Sequence, residues 1–114
     1  MSPITTHVLD IALGRPARGI TVIIERRIEQ GEWSELARGA TDADGRVSQF
    51  EMPRASLEGG TYRLRFETAA YFRSQGGTWL YPEIHLVIQI DDPARHYHVP
   101  VLLSPFGYST YRGT

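Results

Sequence analysis

Alternation of apolar and polar residues at every second position is the feature that most constrains how this chain can fold. The pattern is clearest in "TYRLRFE" (61–67) and "EIHLVIQID" (83–91). Side chains of a β-strand point alternately to the two faces of its sheet, so this period predicts strands with one buried and one solvated face. In "GITVIIERRIE" (19–29), the same rule predicts one apolar and one wet face, with the apolar face formed by Ile20, Val22, Ile24 and Ile28.

Shorter segments predict the remaining elements of an all-β fold. Further strands are expected in "THVLDIA" (6–12), "WSELARGAT" (33–41), "RVSQF" (46–50), "HYHVPVLL" (96–103) and "YSTYR" (108–112). Only "FETAAYFRSQG" (66–76) is typical of a helix, which would end at Gly76-Gly77. About eight short strands and one short helix predict a two-sheet antiparallel β-sandwich. We expect one domain over residues 1–114.

The composition excludes several classes of function. Twelve basic and 13 acidic residues leave a net charge of −1, so no nucleic-acid or anionic-membrane partner is expected. The absence of cysteine excludes thiol catalysis, disulfides and cysteine-based zinc sites, and it fits a reducing compartment. Neither a signal peptide nor a span long enough for a bilayer is visible, which predicts a cytoplasmic protein.

A few polar residues are candidates for a site. His96 and His98 are two positions apart in a predicted strand and therefore share a face, while the alternate residues from Tyr97 to Leu103 point to the core. His7 shares a face with Thr5 and Leu9, and Arg46 follows a glycine turn at the start of a strand. His85 has the pattern of an ordinary surface histidine.

Two metal-binding interpretations are open to this sequence, and both are weak. "DADG" (42–45) resembles the start of a calcium loop but lacks the remaining ligand spacing, so we interpret it as a hairpin turn. The same-face pair His96 and His98 could form half of a zinc site, but no carboxylate or further histidine completes it in sequence. We expect no metal and no cofactor.

Two segments resemble the signature regions of the transthyretin-like family. These are "HVLDIALGRPARGI" (7–20) and "YHVPVLLSPFGYST" (97–110). The closing "YRGT" (111–114) resembles the Tyr-Arg-Gly-Ser ending of the enzymatic branch of that family, the 5-hydroxyisourate hydrolases. The resemblance covers essentially the whole chain. One departure is visible, because Thr114 stands where the family most often has serine; the hydroxyl is retained and a methyl group is added.

The resemblance implies a function and a set of site residues. It implies a homotetramer, a dimer of dimers, that hydrolyses 5-hydroxyisourate to 2-oxo-4-hydroxy-4-carboxy-5-ureidoimidazoline during urate degradation, with sites where dimers meet. The catalytic groups would be His7, Arg46, His98 and Thr114. His7 and Arg46, together with Tyr111 and Arg112, would bind the substrate.

Two other functions are compatible with a β-sandwich. A non-enzymatic transthyretin-like carrier would bind a small ligand in the same channel, although apolar or Lys/Glu residues would then be expected in place of the His/Arg set. An adhesion or carbohydrate-binding sandwich would use Trp33, Trp79 or Tyr81 as a stacking platform. A tetramer would argue against this last function.

Overall fold

The computed structural model describes residues 2–52 and 57–114, which form two packed β-sheets and one helix. A single turn of 3-10 helix, Glu29–Gly31, follows the third strand, and the helix α1 spans Thr68–Gln75. The strands are β1 (Ile4–Asp10), β2 (Arg15–Pro16), β3 (Thr21–Arg27), β4 (Trp33–Ala40), β5 (Arg46–Val47), β6 (Gly60–Phe66), β7 (Ile84–Ile90), β8 (Tyr97–Ser104) and β9 (Gly107–Thr110).

The two sheets confirm the predicted β-sandwich. The five-stranded sheet has the order β2-β1-β8-β9, with β5 also paired to β1, and the four-stranded sheet has the order β4-β3-β6-β7. Among the strands that the structure describes, every pairing is antiparallel except that of β1 with β8, which is parallel over seven residues of β1. The fold prediction did not anticipate this parallel pair, which joins strands from opposite ends of the chain.

The core lies between the inner faces of the sheets. The alternating residues of β6 and β8 point into it as predicted, and the largest fully buried side chains include Tyr62, Phe50 and Phe66. The prediction for Ile28 was wrong: β3 ends at Arg27, and Ile28 is 46% exposed. Burial of such side chains away from water is the main favourable term in folding.

The outer face of the four-stranded sheet is less wet than its alternation predicts. Ile23 is fully buried there, and the Glu25 residue is only 8% exposed. Arg63 donates from Nε to a carboxylate oxygen of Glu25 at 2.8 Å, and the Arg65 side chain lies over the same carboxylate. Long arginine side chains can cover a sheet with their apolar stems while their charged heads stay near water.

The turn at "DADG" crosses between the sheets and is not a hairpin. It follows β4 of the four-stranded sheet, but β5 after it pairs with β1 of the five-stranded sheet. Gly45 closes the turn with a φ of 76°, and its carbonyl accepts the Val8 N–H at 2.7 Å. The crossing therefore delivers Arg46 to the sheet that carries both His7 and His98.

Helix α1 ends where the sequence predicts, at Gly76 in the left-handed conformation. It is tied to β1 by the buried hydroxyl of Tyr71, which donates to a carboxylate oxygen of Asp10 at 2.7 Å. Burial, followed by this contact, raises the pKa of Tyr71. Over the described ranges, no helix is both long and apolar enough to cross a membrane.

Candidate active site

Four of the predicted site residues, His7, Arg46, His98 and Thr114, lie on the outer face of the five-stranded sheet. In the parallel pair of β1 with β8, Thr5 lies opposite His98. In the antiparallel pair of β1 with β5, His7 lies opposite Arg46. The central strand β1 thus brings together residues that are far apart in sequence.

A cavity of about 180 Å³ opens on this face. Three of the predicted catalytic residues, Arg46, His98 and Thr114, line it together. The other lining residues are Thr5, Thr6, Ser48 and His96. A cation, imidazoles and hydroxyl groups around one small cavity are the kinds of group that position a polar substrate and move protons.

One hydroxyl joins the two histidines of this cavity. Oγ1 of Thr5 lies 2.8 Å from Nδ1 of His98 and 3.0 Å from Nε2 of His96. The two imidazole rings are nearly parallel, with centroids 6.5 Å apart. Thr5 is buried, His98 is partly buried and His96 is exposed. The hydrogen bonds therefore connect a partly buried ring to a solvent-exposed ring through a buried hydroxyl.

His7 lies on the same face but does not line the cavity. Its Nε2 is 2.8 Å from the backbone carbonyl oxygen of Asp44. A carbonyl can only accept, so Nε2 of His7 carries a proton and donates it. In neutral His7 the remaining lone pair is therefore on Nδ1. The same turn is held by Asp42, whose Oδ1 accepts the backbone N–H groups of Asp44 and Arg46.

The surroundings of His98 lower the pKa of its imidazole. Partial burial lowers the pKa of His98 below its usual value of 6.5, and the neighbouring Arg46 lowers it further, followed by His96 and His7. The backbone N–H of Arg46, donating to the Asp42 carboxylate, lowers the pKa of that carboxyl. His98 is consequently neutral at pH 7 and able to accept a proton, beside a permanent positive charge.

The C-terminal residues separate into two groups. Gly113 donates its N–H to the carbonyl oxygen of His98 at 2.8 Å, and Thr114 follows it into the cavity. Tyr111 and Arg112 instead line a second cavity of about 380 Å³ beside β7, where the Arg112 guanidinium carbon lies 4.5 Å from the Tyr97 ring centroid. Within one chain these two predicted substrate-binding residues are therefore apart from Arg46.

Sequence reasoning missed part of this constellation. His96 was recognised only as a same-face partner of His98, and Thr5 only as a neighbour of His7 on one face, while Ser48 carried no signal. The spacing of the two histidines was the available clue for His96. His85, by contrast, is the exposed surface histidine that was predicted, 2.7 Å from a Glu83 carboxylate oxygen. Within residues 2–52 and 57–114, no three His, Asp or Glu side chains are grouped to hold a metal ion.

Comparison with known proteins gives consistent matches over nearly the full length. The model of the HIUase/Transthyretin family matches residues 4–113. The 5-hydroxyisourate hydrolase 2 of Rhizobium meliloti is 47% identical over 116 aligned residues, covering 97% of this chain and 95% of the relative. The crystal structure of sea bream transthyretin in complex with thyroxine superposes with a TM-score of 0.92 at 31% identity, covering 99% of this chain and 96% of the other.

A solved hydrolase structure shows that backbone similarity does not distinguish the hydrolases from the transthyretins. The 5-hydroxyisourate hydrolase of Klebsiella pneumoniae superposes with a TM-score of 0.82 at 39% identity, covering 97% of this chain and 98% of the other. Its backbone is less similar than that of transthyretin although its sequence is more similar. A shared fold does not fix function, so the side chains of the site have to decide between enzyme and carrier.

Proposed function

Because the chain belongs to the HIUase/Transthyretin family, we propose that it hydrolyses 5-hydroxyisourate to 2-oxo-4-hydroxy-4-carboxy-5-ureidoimidazoline in urate degradation. The observation that carries this proposal is the cavity in which Arg46, His98 and Thr114 meet. Opening a cyclic amide with water needs a base, a group that stabilises the developing oxyanion and a proton donor for the leaving nitrogen. A neutral imidazole and a guanidinium supply the first two.

His98 is the general base in this mechanism. Burial and the positive charge of Arg46 keep its imidazole neutral at pH 7, so that it can take a proton from the attacking water. The water oxygen bonds to the ring carbonyl carbon, and the bond from that carbon to the ring nitrogen breaks. Doubly protonated His7 donates through Nδ1 the proton that the departing nitrogen requires, because its Nε2–H is committed to the Asp44 carbonyl. The proton that His98 takes up is then released to solvent, and His7 is protonated again from solvent before the next turnover.

Arg46 and Thr114 act on the substrate oxygens. The guanidinium of Arg46 offers a planar set of donors to the carbonyl groups of an often anionic purine derivative, and it stabilises the charge that develops on the attacked carbonyl. The hydroxyl of Thr114 orients the water or the substrate from the same cavity. The methyl group that distinguishes Thr114 from serine leaves this hydrogen-bonding role intact.

We further propose that the chain works as a homotetramer, a dimer of dimers. Several large apolar side chains are exposed in the single chain, among them Phe106 at 64%, Leu80 at 60% and Tyr111 at 58%. β7 is an edge strand of its sheet, and such edges are normally covered. In the assembly, Tyr111 and Arg112 bind substrate at a site completed between chains. Light scattering tests this, because a monomeric mass would contradict it.

We place the activity in the cytoplasm. The chain contains no cysteine, so its folding needs no oxidising compartment. Fractionation of the source cells with an antibody against this protein is the direct test, and recovery in a secreted fraction would contradict the assignment.

The test of the proposed activity is the decay of freshly made 5-hydroxyisourate. Urate oxidase generates the compound, and its absorbance is followed with and without this protein, because the compound also decays spontaneously. We expect the protein to accelerate the decay in proportion to its concentration. An unchanged rate of 5-hydroxyisourate decay would exclude the proposed hydrolase activity.

The second candidate is a small-ligand carrier, which the high structural similarity to thyroxine-bound transthyretin favours. If the decay rate is unchanged, a calorimetric titration with thyroxine should then show binding. Accelerated decay together with loss of activity in the site variants would instead exclude a carrier as the main function.

A further inference from the structure

We propose that Thr5 is a positioning residue whose hydroxyl, bridging His98 and His96, holds His98 in the tautomer with its proton on Nδ1. This inference rests on the proposed role of His98 as the base. In this tautomer Nδ1 of His98 donates to Oγ1 of Thr5, and the Thr5 hydroxyl donates to Nε2 of His96. The lone pair of His98 is then on Nε2, which is free for the water proton.

The direction of the bridge follows from counting protons. A threonine hydroxyl has one hydrogen, so between two ring nitrogens it donates to one and accepts from the other, unless both nitrogens carry protons. If Thr5 donated to His98, the neutral ring would carry its proton on Nε2 and would have no lone pair left for water. A base at His98 therefore requires Nδ1–H of His98 to donate to Thr5, which leaves the hydroxyl hydrogen of Thr5 available to Nε2 of His96.

Within the part of the chain that the structure describes, the surroundings of the bridge offer Nδ1 of His98 no ready hydrogen-bond partner in place of the Thr5 hydroxyl. Thr5 is 5% exposed, so water has little access to Nδ1 of His98 if the hydroxyl is removed. The backbone of Gly113 also lies against the Cδ2 side of the His98 ring, which limits its rotation. Among residues 2–52 and 57–114, Thr5 is the one hydrogen-bond partner of the His98 ring.

His96 completes the bridge by supplying an acceptor. Its ring is exposed, so when Nε2 accepts from Thr5, solvent can bond to the proton on Nδ1. An exposed histidine adopts either tautomer at small cost, whereas the partly buried His98 depends on the protein for its partner. The tautomer of His98 is therefore set by Thr5, whereas His96 can adopt the tautomer that accepts from Thr5.

The test combines tautomer detection with kinetics on the full chain. Long-range ¹H–¹⁵N spectra distinguish the two neutral tautomers of His98, and they are recorded for wild type, Thr5→Ser and Thr5→Val. We expect Nδ1–H in wild type and T5S, and loss of that preference in T5V. For kcat we expect a fall of about 10-fold or more in T5V and less than about 3-fold in T5S, with KM changed little, as for groups that orient a functional imidazole.

A matched control is Thr61→Val on the other sheet, where the hydroxyl donates to the Gln89 side chain. This variant should retain wild-type kcat and the wild-type tautomer of His98. A wild-type His98 with its proton on Nε2 would overturn the proposal, even if T5V failed to fold. Wild-type kcat in a folded T5V would overturn it as well.

The two readouts separate this inference from the proposed function. If wild type does not accelerate 5-hydroxyisourate decay, the proposed function fails, whereas the tautomer spectra still decide whether Thr5 fixes His98. If wild type is active but the spectra show Nε2–H, only the positioning role of Thr5 fails.

Discussion

A β-carbon at Gly113 would lie 2.6 Å from Cδ2 of His98 and 3.0 Å from Cγ of Pro100. Real β-carbons essentially never approach so closely, so any other residue at 113 would displace the ring or the chain. The Gly113 N–H also donates to the His98 carbonyl oxygen at 2.8 Å. The backbone of the C-terminal segment is thus a direct packing partner of the proposed base.

We therefore predict that Gly113→Ala lowers kcat/KM for 5-hydroxyisourate by at least about 10-fold, because a small displacement of a catalytic group is costly. The fold should persist, since Gly113 follows the last strand. Gly77→Ala is the matched control, because a β-carbon there meets nothing within 4 Å. Equal activity of the two variants would show that packing against His98 is unimportant.

The depressed pKa of His98 predicts its titration. Burial is the largest cause, and Arg46, His96 and His7 are the charged or titratable groups that add to it. An NMR titration should give His98 a midpoint below 6.5, and Arg46→Gln should raise that midpoint without restoring the unperturbed value. A midpoint that does not change in R46Q would show that the two side chains do not interact.

The same shift predicts how stability changes with pH. The unfolded chain binds the His98 proton more readily than the folded chain, so this residue makes the free energy of unfolding rise with pH in the window below about 6.5. His98→Asn should therefore lose less stability than wild type when the pH falls from about 7.5 to about 5.5, as measured by urea unfolding. A larger loss in H98N would contradict the assigned direction.

The turn that carries Arg46 should depend on Gly45. A β-carbon there would lie 2.4 Å from the Val8 carbonyl oxygen, in addition to the left-handed φ of 76°. Gly14 has a similar φ of 69° but open space around it. Gly14→Ala should cost about 1–2 kcal/mol through φ alone, and Gly45→Ala clearly more, with a loss of activity. Thermal unfolding curves that match for the two variants would argue against the steric contact.

The partly buried ion pair on the other sheet should matter for stability and not for activity. Arg63 and Glu25 are 17% and 10% exposed at their side chains, and Arg63 also stacks on Trp33 at 4.4 Å. Arg63→Ala leaves the Glu25 carboxylate poorly compensated and should cost about 2–3 kcal/mol in urea unfolding. Arg38 forms an exposed ion pair with Glu35, so Arg38→Ala should change the free energy of unfolding only a little. Similar losses in both variants would contradict this account.

Local patterns in the sequence were sufficient for most of the fold. The alternation in β6 and β8 predicted which side chains enter the core, and Gly76 marked the end of the helix. The failure at Ile28 has a local cause, because the strand stops before it. The burial of Glu25 has a tertiary cause, since it depends on Arg63 and Arg65, which a neighbouring strand supplies.

The site depended on pairings that no local pattern reveals. Thr5 meets His98 only because β1 and β8 pair in parallel, and Arg46 meets His7 only because the turn after β4 crosses to the other sheet. The family resemblance supplied His7, Arg46, His98 and Thr114 as expectations without these pairings. It did not supply Thr5, whose hydrogen bonds appear only in three dimensions.

The most direct test of the central claim is to make the same substitution on the two sheets and compare the rates of 5-hydroxyisourate decay. Arg46→Gln alters the proposed site, whereas Arg38→Gln alters an exposed ion pair on the four-stranded sheet. We predict that R46Q loses about 10²-fold in kcat/KM and that R38Q stays within about 2-fold of wild type. Wild-type activity in R46Q, measured above the spontaneous decay, would contradict the claim that this cavity is the active site.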